Sequence, residues 1–130
     1  MRNRLKDFCV LTIMFLLAVN LAHAHHGWAA FTSDQASLVS LKGTVKEFHF
    51  VNPHSVIELA VKDGKGQIEI WEGELTSNTN LAPRGWTATS IEDRQEITMT
   101  GYPARNGAHA MRVTRIVLAN GSELKIGGGN

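Results

Sequence analysis

A single cysteine, Cys9, stands in 130 residues. No disulfide can form within the chain, and a thiolate metal site of the Cys-x-x-Cys kind is excluded. An excess of charge of one sign is missing as well, with 13 Lys+Arg against 12 Asp+Glu. Nucleic-acid binders carry a clustered basic surface, so no nucleic-acid partner is expected. Arg105, Arg112 and Arg115 are the nearest thing to a basic patch, and a solvated strand face accounts for them equally well. Catalytic signatures are absent too. His54-Ser55 has no accompanying acid or oxyanion motif, and triad members converge in space rather than in sequence. Glu72 and Glu74 share one face of a strand segment, where an acid–base pair is conceivable and a solvated face is the simpler reading. A binding protein, not an enzyme, is therefore expected.

Beyond the first 24 residues no long apolar run occurs. Arg2, Arg4 and Lys6, the apolar stretch Phe8 to Ala22, and the small residues Ala22 and Ala24 have the three parts of a cleavable export signal. The run is interrupted by Asn20 and is short for a membrane span, which needs ~20 apolar residues. The expectation is a signal peptide over 1–24, cleavage before His25, and a periplasmic protein with no membrane contact after processing. Cleavage would remove Cys9 and leave 106 residues, enough for one domain with a single core. Loss of Arg2, Arg4, Lys6 and Asp7 takes the 13 and 12 charges to 10 and 11, a net charge of −1 with neutral histidines.

Within those 106 residues the patterning is that of strands. Residues 25–37 lack periodicity and read as an N-terminal arm, which Trp28 and Phe31 could pin to the domain. Val39, Leu41 and Val45 keep one phase, and Phe48 and Phe50 take the other. A phase switch inside one long strand implies a bulge or sharp bend. Asn52-Pro53 ends that strand. Ile57, Leu59 and Val61 alternate in a second strand, and Asp63-Gly64-Lys65-Gly66 turns into a third over Gln67–Glu74 with Ile68, Ile70 and Trp71. Ser77 or Asn78 can cap a short helix near Thr79–Arg84 that stops at Gly85. Trp71 and Trp86 read as core or lid residues, with a stacking platform for sugars or bases as the sharper alternative. A fourth strand over Glu96–Tyr102 carries Ile97 and Met99 inward. The fifth is Ala110–Ala119, and Asn120-Gly121 leads into a short return over Glu123–Ile126. Three strands, a helix and two strands is the element order of a small OB-like barrel of five to six strands, with a small β-sandwich as the alternative. The domain is expected over 38–126, followed by a tail at 127–130.

Five histidines lie downstream of residue 24: His25, His26, His49, His54 and His109. Neutral imidazole without thiolate suits copper, zinc or nickel. If His25 is the first residue of the processed chain, its α-amine and ring form a chelate, and a distant imidazole would complete a three-nitrogen site. That arrangement resembles the histidine brace of copper oxygenases and of some periplasmic copper carriers. The chain lacks the Xaa-Xaa-His start of the tight amino-terminal copper motif. His54 after Pro53 and His109 after Asn106-Gly107 both sit at strand ends, so His25, His26, His54 and His109 form the expected ligand set. His49, between Phe48 and Phe50, reads as structural.

Taken together, His25-His26-Gly27-Trp28-Ala29-Ala30-Phe31, Gly43-Thr44-Val45, Phe50-Val51-Asn52-Pro53-His54, Arg84-Gly85-Trp86 and Gly101-Tyr102-Pro103-Ala104-Arg105 resemble an uncharacterised family of small exported proteins of Gram-negative bacteria, a domain of unknown function. The resemblance implies export and one small β domain, and supplies no activity. The functional expectation is a periplasmic binding protein holding copper or zinc. The alternative is a metal-free OB-type module for a partner protein or small ligand, and a histidine-brace oxidase is a lesser third.

Overall fold

The computed structural model describes residues 27–127. The expected signal over 1–24, His25, His26 and the last three residues of the expected tail lie outside them. Six strands form one sheet: β1 (Val39–His49), β2 (Val56–Lys62), β3 (Ile68–Glu74), β4 (Glu96–Pro103), β5 (Ala110–Leu118) and β6 (Glu123–Leu124). One short helix, α1 (Asn78–Leu81), follows β3 and runs into a 3-10 turn over Ala82–Arg84. β1 pairs antiparallel with both β2 and β4, β2 with β3, and β4 with β5. The sheet closes where β3 meets β5 in parallel, with Glu72 opposite Ala110, Gly73 opposite Met111 and Glu74 opposite Arg112. Five strands thus make a closed barrel of OB order, and β6 adds to the outer side of β5. Closure rules out the sandwich, since the sheet has joined its own edges.

The bend expected from the phase switch lies between Val45 and Glu47, where the β1–β2 register shifts. Val45, which points inward, is 1% exposed. Phe48 and Phe50 pack against each other on the other side of the bend, and Phe48 also packs against Trp86. Gly43 serves both halves of the barrel: it lies opposite Ile97 of β4, while a Cβ there would run into the Ala60 carbonyl oxygen and sit 2.9 Å from Leu59. Ile57, Leu59, Ile97, Met99, Met111 and Ile116 fill the interior, all at or below 1% exposure. Their alternation with solvent-facing neighbours is the two-residue period of a strand with one wet face. Ser77 caps α1 by accepting from Asn80 N, and Gly85 ends the following turn at φ 89°. Trp86 is buried beyond it and donates its indole N–H to the Lys125 carbonyl at 2.8 Å, fastening the C-terminal segment over this end of the barrel.

Phe31 is what pins the arm. It is 6% exposed and bridges to Ala104, while Thr32 N donates to the Pro103 carbonyl. Trp28, further out, is 56% exposed and lies against an arginine rather than the core.

Candidate functional site

The ends of β3 and β5, the segment before β2, α1 and the arm enclose a groove of about 540 Å³. Its position follows from the β2–β3 hairpin. The tight turn at Asp63–Gly66 puts Val56 opposite Glu74, and the ladder runs past both strands: Leu75 N donates to the Ser55 carbonyl and Ser55 N to the Thr76 carbonyl. The preceding residue, His54, is thereby held beside Glu74. Ser55 is fully buried and donates its hydroxyl to the Val51 carbonyl, a structural role.

His54 Nδ1 lies 2.8 Å from Glu74 Oε1 and 3.2 Å from the Leu75 carbonyl oxygen. Both neighbours are acceptors only. The Nδ1 position therefore carries the proton in the neutral ring, and Nε2 keeps its lone pair. Histidines that bind metals share this arrangement, with the far ring nitrogen donating to a carboxylate or a carbonyl. Glu74, expected on a solvated strand face, instead orients the ring of His54. The signal that finds it is the hairpin register, since any pairing centred on residues 63–66 brings positions 54–56 to positions 74–76.

On the neighbouring strand β5 stands Arg112, whose guanidinium carbon is 4.3 Å from the Trp28 ring centroid and 4.8 Å from that of Tyr102. Such stacking favours a weakly hydrated planar cation. Its Nε is buried and has no hydrogen-bond partner among the described residues. The three arginines read as a patch therefore part company. Arg105 Nε donates to the Ala29 carbonyl, Arg115 pairs with Glu123 at 2.8 Å, and only Arg112 lines the groove.

The structure does not bring His109 to His54. His109 stacks on Trp71, with ring centroids 5.0 Å apart and planes 15° from parallel, and its Nε2 is 3.8 Å from Glu69. It is not among the groove's lining residues. Trp71 packs against the core from a half-buried position, and Trp86 is a core residue.

Beside the β1 bend, His49 sits between Glu47 and Glu58, with ligand-capable atoms within 4.8 Å of one another. His49 Nδ1 is 3.6 Å from Glu47 and Nε2 is 3.9 Å from Glu58, so each ring nitrogen faces a different carboxylate. Lys46 takes the other oxygen of Glu58 at 3.1 Å.

Residues 14–112 match the family described as a family of unknown function (DUF6152). The chain belongs to this family, as its motif set led one to expect. No curated protein matches it.

Proposed function

We propose that this member of the family is exported, is cut before His25, and binds a divalent transition metal, copper above zinc, without catalysing a reaction. The ligands in this reading are the His25 amine and ring, His26 and His54. The observation that carries it is the His54–Glu74 contact at 2.8 Å in a groove that Trp28 also lines. The contact leaves Nε2 of His54 as the ligand atom and fixes the orientation of the ring. Three chain steps separate His25 from Trp28, a reach of at most about 11 Å, and the reading requires the arm to bring its histidines to His54 within that reach. His109 drops out of the ligand set, because Trp71 and Glu69 hold it elsewhere on β3.

The test is a Cu(II) titration by calorimetry of protein starting at His25 against protein carrying one extra residue before it. The extra residue turns the amine into an amide and removes one of the four nitrogens of this ligand set. Affinity should fall on the order of a hundredfold, the scale of a lost intramolecular binding event. Equal affinities would overturn the chelate. Intact mass of the periplasmic protein checks the cut itself, since a start other than His25 removes the free amine.

The second reading, a metal-free module for a small ligand, is favoured by a separate observation. The groove's volume falls within the range of small-molecule sites, ~300–1,000 Å³.

A further inference from the structure

Two guanidiniums face this groove with no carboxylate partner among the described residues. Arg112 lies between Trp28 and Tyr102, and Arg84 donates to the Asn80 carbonyl oxygen. None of the ion pairs among the described residues involves either arginine. The pairing that the β3–β5 register offers, Glu74 opposite Arg112, is not made, because the Glu74 carboxylate is turned to His54. Leaving His54 aside, Arg84 and Arg112 against Glu74 leave the groove with one net positive charge. Leu75, Val113 and Ile126 form the aliphatic part of the remaining wall, beside the polar Thr76, Asn80 and Thr114.

We infer that the groove binds a small organic carboxylate, its charged end on Arg112 and its apolar body on Leu75, Val113 and Ile126. A guanidinium presents parallel N–H donors that match the two oxygens of a carboxylate. The two aromatic rings hold its plane, so little side-chain freedom is lost when a ligand docks. Burying an N–H such as Arg112 Nε without an acceptor is costly, and a carboxylate supplies acceptors beside it. An apolar body distinguishes such a ligand from a free inorganic anion, which would gain nothing from those three side chains. The inference is independent of the copper reading, since neither arginine belongs to the proposed ligand set.

The experiment uses the full chain, treated with chelator, and octanoate as probe, followed by calorimetry and by the Arg112 Nε–Hε and Trp28 indole resonances in NMR. Octanoate should shift both signals saturably, while neutral octanamide and inorganic phosphate should not. Arg112→Gln should weaken octanoate by about tenfold or more, the scale of a lost charge-assisted hydrogen bond, whereas Lys42→Gln, at a residue paired with Glu96 away from the groove, should change nothing. Octanamide binding as well as octanoate, phosphate competing on equal terms, or indifference to Arg112→Gln would each overturn the inference. Should Arg112→Gln fail to fold, the octanoate–octanamide comparison on the unaltered protein decides the matter. Octanoate binding with no copper binding would sink the metal reading alone.

Discussion

His54 and His49 both sit among carboxylates, within a few residues of one another along the chain, yet the barrel treats them differently. His54 is held by the ladder beyond β2 and β3, and its acceptors, Glu74 and the Leu75 carbonyl, gather at one ring nitrogen. His49 is half-buried just past the bend of β1, where its two nitrogens face Glu47 and Glu58 separately and Lys46 competes for Glu58. The first ring is oriented with a lone pair to spare. The second lies between two like charges placed directly across the strands, Glu47 opposite Glu58, whose repulsion Lys46 relieves. A histidine near two carboxylates is thus set up as a ligand only where its acceptors gather at one ring nitrogen and leave the other free.

The largest way to break the comparison is to force β1 from β2 just before the bend that separates the two corners. Gly43→Val places a branched side chain where even a Cβ meets the Ala60 carbonyl and Leu59. It should cost about 3 kcal/mol or more, the upper range for forcing atoms into a packed site. Chemical denaturation measures it, and a cost below about 1 kcal/mol would mean that β1 can part from β2 without harm.

Next in size is the exchange of the histidines themselves. His54→Ala should lower Cu(II) affinity on the order of a hundredfold, while His49→Ala should stay within about twofold. Calorimetry on both variants with the free His25 terminus reads the difference. The reverse ranking would move the metal to the β1 bend and leave the groove to other ligands.

A smaller step tests the carboxylates. Glu74→Gln keeps the size of the side chain but weakens its hold on Nδ1, and should reduce copper affinity by about tenfold. Glu58→Gln should leave copper affinity as it was. If Glu74→Gln is silent in the titration, the contact at 2.8 Å is a fold interaction only.

What could be read without coordinates divides along the same line. The bend in β1 is visible because Val39, Leu41 and Val45 alternate out of phase with Phe48 and Phe50, and side-chain alternation is local. The helix stop at Gly85 is visible for the same reason. The barrel followed from element order, although its parallel closure, β3 on β5, joins residues far apart in sequence and leaves no local pattern. Site residues were legible in proportion to their locality. His54 stands out after Pro53, and the hairpin register leads on to Glu74. Arg112 does not stand out, since strand alternation alone gives it a solvated position and its partners Trp28 and Tyr102 come from the arm and β4. His109 looked equivalent to His54 because both follow turns, and only the packing on Trp71 separates them.

The smallest effect expected is at the compensated corner. Lys46 and Glu58 form an ion pair near the surface, and such pairs contribute about 0–1 kcal/mol. Lys46→Met should therefore lower stability by no more than about 0.5 kcal/mol, because the lost attraction is largely screened. Glu58→Gln should be neutral or slightly stabilising, since it removes the repulsion with Glu47 as well as the pair with Lys46. The sign of the second change carries the argument. Thermal melts at low and high salt would show the Lys46→Met loss shrinking as ionic strength rises. A Glu58→Gln loss above about 1 kcal/mol, or a melting temperature that rises with added zinc and loses that rise in Glu58→Gln, would mean that the corner is a binding site and that His49 belongs with His54 after all.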